Sequence, residues 1–262
     1  MKKFWLIALL EWLWSKPAIK TDPGLPKGPD AKPGEVNPRT GKPLPPVPSP
    51  VPGPGVTVLP PKTLAQRIVA AMEARNIPIA RGKEVYEIVY VEGMNPDGTP
   101  NANRSNAFDD QRIVLRVPID GPPEIVGMWW ATTEPGRYWT QNRMNPKGAF
   151  HIAWGKQTCW QMGVYHDAPA LRQTKTILGT RDNDEDFKRD GDATDAGQFG
   201  VHHHGTRGAT RDNMGRSSAG CQVGFDPQGH LDFIKLLKTD ARYRADPGFV
   251  FSSTVMPYMW LP

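Results

Sequence analysis

Val85-Tyr86-Glu87-Ile88-Val89-Tyr90-Val91 is a run of β-branched and aromatic residues, which predicts a β-strand. A second run of the same kind follows at Arg112-Ile113-Val114-Leu115-Arg116-Val117. Turn signals separate and follow the two runs, Asn95-Pro96-Asp97-Gly98 and then Gly121-Pro122-Pro123. This alternation of short apolar runs with Gly/Pro turns predicts a β-rich domain.

The sequence on either side of these runs continues the pattern. Thr63 is the predicted N-cap of a helix that runs from Leu64 up to Asn76-Ile77-Pro78, and a second helix is expected over 231–239. The acidic, apolar-poor segment 181–197 is expected to form a long loop or lid. The fold class is therefore mainly β with a few helices (α+β), and further strands are predicted at 125–133, 138–139, 149–154, 158–165 and 249–251.

The chain divides into three parts by composition. Residues 1–21 carry Met1-Lys2-Lys3 and a short apolar stretch, which favours an export signal or anchor. The alternative is an interfacial amphipathic helix that contacts the membrane through residues 4–14. Half of the 28 prolines lie in residues 22–62, so this part is expected to be an extended linker with a reach on the order of 100 Å, either a spacer or a tail with no spacing role. Residues 63–262 are the expected folded domain.

Charge and cysteine content narrow the function classes. The net charge of +5 suits an anionic polymer such as cell wall or nucleic acid, but no Lys/Arg cluster stands out, so no nucleic-acid partner is expected. The two cysteines, Cys159 and Cys221, form neither a disulfide framework nor a CxxC zinc motif. Cys159 is expected to be a buried small hydrophobe; a bridge to Cys221 is the alternative.

The residues suited to chemistry lie in two short segments, Val201-His202-His203-His204-Gly205-Thr206 and Gly215-Arg216-Ser217-Ser218-Ala219-Gly220-Cys221-Gln222-Val223. An extended backbone puts His202 and His204 on one face and His203 on the other. His204 is the expected base for a Cys221 nucleophile, and backbone N–H groups around Gly220 and Cys221 are the expected oxyanion donors. Ser218 is either an active-site hydroxyl or a turn residue.

A metal site is the competing interpretation of the histidines. His202 and His204 would supply two zinc ligands, and Asp192, Asp195 or His166 could supply a third, but no spacing singles one out.

The two histidine and cysteine segments resemble the catalytic signature of the L,D-transpeptidases. His204-Gly205-Thr206 is similar to the family's His-Gly(-Thr), and Ser218-Ala219-Gly220-Cys221 to its Ser-x-Gly-Cys; segments 131–136 and 145–152 are similar to its Thr-Pro-x-Gly-x-Phe region. The resemblance spans about residues 85–225. It implies a β-sandwich catalytic domain, Cys221 as nucleophile, His204 as general base, and the Gly205 carbonyl orienting the imidazole. The implied reaction is acyl transfer on peptidoglycan stem peptides through a thioester, with no metal and no cofactor.

Two positions depart from the family pattern. Ala219 stands where the family usually has His, and Val223 where it has Arg or Asn, which puts the acceptor site, and hence cross-linking versus hydrolysis, in doubt. The Ser-Ala-Gly-Cys form is similar to phage and prophage members. Trp129 and Trp139 are the expected substrate-binding residues together with His202, although tryptophans more often pack in the core.

The expected location is the periplasm or cell envelope after export, or, for a phage-encoded protein, the host cell wall. Two alternatives stay open: a membrane-tethered wall-binding module with a vestigial site, and a zinc peptidase that uses the histidines.

Overall fold

The structure is a computed structural model and describes residues 62–262. The predicted export-like segment 1–21 and all but the last residue of the predicted linker 22–62 lie outside the described residues. Within residues 62–262, no helix has the length and apolar character needed to cross a membrane.

Eight strands close into a barrel and three more form a separate small sheet. Around the barrel the order is β1-β11-β5-β6-β9-β10-β3-β2, and the small sheet has the order β4-β7-β8. The strands are β1 (Tyr86–Glu92), β2 (Asp110–Arg116), β3 (Glu124–Thr132), β4 (Ala149–Ile152), β5 (Gly155–Tyr165), β6 (Ala168–Gln173), β7 (Ile177–Asp182), β8 (Ala193–Gly197), β9 (His203–Gly205), β10 (Gln222–Gly224) and β11 (Phe251–Pro257).

The last strand closes the barrel. β11 pairs in parallel with β1, with Ile88 opposite Ser253, and antiparallel with β5 on its other side. This arrangement confirms the predicted mainly β, α+β class, but the architecture differs from the expected sandwich. The physical reason is that β11 extends to Pro257, beyond the short closing strand predicted at 249–251, and joins two strands that would otherwise be edges.

The helices cover the barrel. α1 (Leu64–Glu73) begins at the predicted N-cap Thr63, whose side chain accepts the N–H of Gln66, and it packs on the outward-facing side chains of β1 and β2. The longest helix, α3 (Pro227–Leu237), adds Phe233, Ile234 and Leu237 to the interior cluster. The remaining helices are α2 (Arg137–Gln141), α4 (Ala241–Ala245) and a 3₁₀ turn at Tyr258–Trp260.

Two sequence predictions of local structure were wrong. Residues 138–139 lie in α2 and not in a strand, because Gly136 begins a short helix that docks on the loop before Cys221. The segment 181–197 is a loop only in its middle; its two ends belong to β7 and β8. Most of β8 is exposed, so it lacks the apolar alternation by which a strand is recognised.

Arg112 is buried in the barrel interior, although its neighbours on β2 point outward toward α1. Its guanidinium donates to the Tyr90 hydroxyl (2.7 Å) and to Nδ1 of His230 (3.0 Å). The same group donates to the backbone carbonyls of Gln222 (3.2 Å) and His204 (3.4 Å), one on β10 and one on β9. Arg112 therefore joins β1, β2, β9, β10 and α3 through a single side chain.

Replacing Arg112 should destabilise the domain strongly. Arg112→Met leaves the Tyr90 hydroxyl, Nδ1 of His230 and two backbone carbonyls without their donor, at about 1–3 kcal/mol for each group left unsatisfied. Because the variant no longer buries a charge, part of this loss is offset. We expect a net loss of about 2–4 kcal/mol in the free energy of unfolding, measured by urea denaturation. Arg116→Met on the same strand is the control, because Arg116 makes a half-exposed ion pair with Glu124 worth at most about 1 kcal/mol. Equal losses in the two variants would contradict this role.

Candidate active site

Cys221 follows a tight turn that only glycine can make. Gly220 has φ +121°, and a Cβ added there would lie 2.5 Å from the carbonyl oxygen of Phe150. Ser218 braces the same turn, because its Oγ accepts the N–H of Gly220 (3.1 Å) and donates to the carbonyl of Cys221 (2.9 Å). The structure therefore assigns Ser218, which is buried, to the turn and not to an exposed active-site hydroxyl.

The oxyanion site predicted at Gly220 needs the same correction. The backbone N–H of Gly220 is already donated to Ser218 and is not directed at a bound substrate. The amide of Cys221 itself is the remaining candidate donor in the turn.

Gly220→Ala should disturb the turn more than an equivalent change nearby. Both Gly220 and Gly215 have positive φ, but a Cβ at Gly215 meets nothing within 4 Å. Gly215→Ala should therefore cost about 1 kcal/mol from backbone strain alone, whereas Gly220→Ala should cost at least about 2 kcal/mol more because its φ is open only to glycine and because Phe150 must move. Thermal denaturation of both variants measures the difference, and similar melting temperatures would refute the close packing.

The three histidines alternate across the sheet as their sequence predicts. His203 faces the barrel interior, where the Tyr90 hydroxyl lies 3.0 Å from its Nδ1 and Trp160 packs against its ring. His202 and His204 lie on the other face and both contact the ring of Tyr165, at centroid distances of 4.7 and 5.0 Å.

The tautomer of His204 follows from its hydrogen bond. Its Nδ1 lies 2.9 Å from the carbonyl oxygen of Gly205, which can only accept, so Nδ1 carries the proton and Nε2 keeps its lone pair. This is the contact that the resemblance implies. Burial lowers the pKa of His204 to about 4, despite the opposing effect of the Gly205 hydrogen bond. The imidazole is therefore neutral at pH 7 and able to accept a proton.

Cys221 is half-buried and lies beside β9. Its Sγ is 3.4 Å from the backbone nitrogen of His202, which donates to it, and 3.6 Å from the carbonyl oxygen of Gly200. Burial raises the pKa of the Cys221 thiol to about 11, so the neutral thiol dominates at pH 7. Cys159 is also a free thiol, which excludes the alternative of a bridge between the two, and it is fully buried as predicted.

The raised pKa predicts how Cys221 reacts with iodoacetamide. Because the thiolate is the reactive form, the labelling rate should be low at pH 7 and rise about tenfold per pH unit up to pH 9. In Cys221→Ser, native protein should take up no label, since Cys159 is buried and burial raises its pKa to about 12. Peptide mapping by mass spectrometry measures both, and a rate that levels off near pH 7 would contradict a neutral thiol.

The two tryptophans predicted to bind substrate lie in different environments. Trp139, in α2, donates from Nε1 to the carbonyl of Arg216 (2.9 Å) and lines a small surface depression with Ala219, Phe150 and Arg181. Trp129 packs edge-on against Phe233 under α3, which favours a core role.

The other predicted positions belong to supporting structure. Val223, the second departure from the family pattern, is fully buried against Phe108 and Met214. His202 accepts the backbone N–H of Gln173 through Nδ1 (3.0 Å), so one of its nitrogens is already used.

Sequence reasoning missed Tyr165. Its ring contacts both His202 and His204, and its pKa is raised by burial and, to a smaller extent, by the thiolate form of nearby Cys221. Tyr165 ends β5, far from both motifs in sequence, so only strand pairing through β6 brings it to the site.

The zinc alternative lacks its third ligand in residues 62–262. Across that range, three convergent carboxylate, imidazole or thiol ligand atoms are found at Asp182, Asp184 and Asp186, and at no set that includes His202 or His204. Asp195 is instead paired with Arg181 (2.9 Å) and Lys147 (3.2 Å).

Comparison of the chain with protein-family models, with curated proteins and with solved structures finds no match in any of the three.

Proposed function

We propose that this protein is a cysteine-dependent acyl-transfer enzyme that acts on peptidoglycan stem peptides through a thioester on Cys221. The observation that supports the proposal is the parallel pairing of β9 with β10: His204 lies on β9 with its Nδ1 bonded to the Gly205 carbonyl, and the free thiol of Cys221 comes directly before β10, with Sγ 3.4 Å from the His202 nitrogen. The resemblance of both segments to the L,D-transpeptidase signature supports the choice of substrate. An L,D-transpeptidase and an L,D-peptidase on the same scaffold are the two forms of the proposal.

The protonation states decide how the chemistry begins. With the thiol pKa raised to about 11 and the His204 pKa lowered to about 4, the resting site holds a neutral thiol and a neutral imidazole. Proton transfer from Sγ to Nε2 of His204 must then accompany attack on the donor carbonyl. The carbonyl oxygen gains negative charge, which the amide of Cys221 can stabilise.

The second half of the reaction returns the proton. The imidazolium of His204 protonates the departing amine and leaves the donor peptide as a thioester on Cys221. An amine acceptor then gives a cross-link, and water gives a shortened stem. Ala219 and Val223 offer no polar side chain to select the acceptor, so the proposal leaves both products open.

Substitution of the two central residues tests the proposal on purified sacculi and tetrapeptide stems. Cys221→Ala should abolish product formation, and His204→Gln should lower the rate about 100-fold or more, because general-base catalysis contributes about 10²–10⁴-fold. Mass spectrometry of the products distinguishes a cross-linked dimer from a shortened stem.

His166→Gln is the matched control. His166 is exposed, and its ring contacts the ring of Tyr165. Replacing it should therefore leave the rate within about twofold of wild type. Circular dichroism should show that all variants keep the native fold. Unchanged activity in Cys221→Ala would rule out the thioester, and wall binding by an inactive wild type would favour a binding module with a vestigial site.

A further inference from the structure

Three aspartates converge in the loop that joins β7 to β8, in the stretch Asp182-Asn183-Asp184-Glu185-Asp186. Their carboxylate oxygens lie within 4.8 Å of one another. Asp182 is the last residue of β7 and is fully buried, whereas Asp184 and Asp186 are exposed. Carboxylates at alternate positions of one short loop are the ligand spacing that calcium loops use.

A buried histidine beside this cluster has no hydrogen-bond partner. His151, on β4, is 1% exposed, and neither of its ring nitrogens is bonded to any of the described residues. Its Nε2 lies 3.9 Å from Oδ2 of Asp182, so the ring is directed at the cluster but is too far away for a hydrogen bond. Buried polar atoms nearly always have a partner, so a missing group between His151 and the carboxylates is expected.

A second orphaned atom lies at the far end of the loop. Oδ2 of Asp192 is buried and without a hydrogen bond to the described residues. Turn formation accounts for Asp182, which accepts the N–H groups of Glu185 (2.7 Å) and Phe187 (3.1 Å). Asp184 and Asp186 likewise accept the backbone N–H groups of Asp186 (3.4 Å) and Lys188 (2.8 Å), and Lys188 also pairs with Asp186 through Nζ (3.2 Å). One exposed lysine offsets only part of the repulsion among three carboxylates.

We propose that this loop binds a divalent cation of the oxygen-preferring class, with Ca²⁺ the expected ion, through the carboxylates of Asp182, Asp184 and Asp186. The cation turns the mutual repulsion of the carboxylates into attraction. A water molecule bound to the cation supplies the partner that His151 lacks, and Asp192 closes the loop from the other side. Carboxylate ligands select Ca²⁺, Mg²⁺ or Mn²⁺, and an irregular surface loop suits the irregular coordination of Ca²⁺ best.

The position of the loop connects it to the cysteine. Arg181, next to Asp182, stacks on Phe150 and Phe199, and the chain runs from Phe199 to Gly200, whose carbonyl contacts the Cys221 thiol. A cation bound at Asp182 is therefore connected, through Arg181 and Phe199, to the segment that carries the Gly200 carbonyl beside Cys221. The cation site itself does not depend on the acyl-transfer proposal.

Isothermal titration calorimetry of the full chain tests the site. After treatment with a chelator and dialysis, titration with CaCl₂ should show one saturable site, and the melting temperature should be higher in CaCl₂ than in EDTA. The double variant Asp184→Asn/Asp186→Asn removes two exposed ligands and should weaken Ca²⁺ binding at least tenfold. Asp190→Asn removes one charge from the same loop outside the cluster and should change the affinity by less than twofold.

Several outcomes would overturn the proposal. Absence of saturable binding, or an equal loss of affinity in Asp190→Asn, would show at most diffuse attraction to an acidic loop. Tighter binding of ZnCl₂ than of CaCl₂ would overturn the choice of ion. The same titration on Cys221→Ala should give the wild-type affinity, so failure of the acyl-transfer proposal and failure of the cation site are measured separately.

Discussion

The buried guanidinium of Arg112 is the interaction on which the rest of the structure depends. Its two backbone bonds fall on His204 and Gln222, so it fixes the strand that carries His204 and the strand that begins directly after Cys221. Arginine stays charged even when buried, and its planar group can satisfy several acceptors at once. A neutral side chain at position 112 would fill space but could not hold β9 and β10 to the barrel in this way.

The same charge helps to set the protonation of the surrounding histidines. Burial is the largest cause of the lowered pKa values of His203, His204 and His230, and repulsion by Arg112 adds to it in each case. An interior that holds a permanent cation therefore keeps its imidazoles neutral. For His204 this leaves a base, and for His230 it leaves Nδ1 free to accept from Arg112 while Nε2 donates to the Pro169 carbonyl (2.8 Å). The buried charge of Arg112 therefore contributes both to the hydrogen bonding of the fold and to the neutral state of His204 on which the proposed chemistry depends.

The sequence could predict what depends on local pattern. The strands at β1 and β2, the N-cap Thr63 and the alternation of the three histidines all follow from residue type and period. Features that depend on contacts between residues distant in sequence could not be predicted from the sequence. Tyr138 and Trp139 are residue types typical of strands, and a strand was predicted there. In the structure, Gly136 donates its N–H to the Ser218 carbonyl (2.8 Å), and the residues that follow form a short helix. Nothing near Arg112 in sequence indicates that it points inward, because its partners come from four other elements.

Trapping of the thioester is the most direct test of the central claim. The protein is incubated with a tetrapeptide stem, quenched in acid and analysed by intact and peptide-mapped mass spectrometry. The account predicts a mass increase equal to the acyl part of the donor stem, located on the peptide that contains Cys221 and removed by hydroxylamine. Turnover of the stem with no adduct at Cys221, or an adduct that persists in Cys221→Ala, would contradict it.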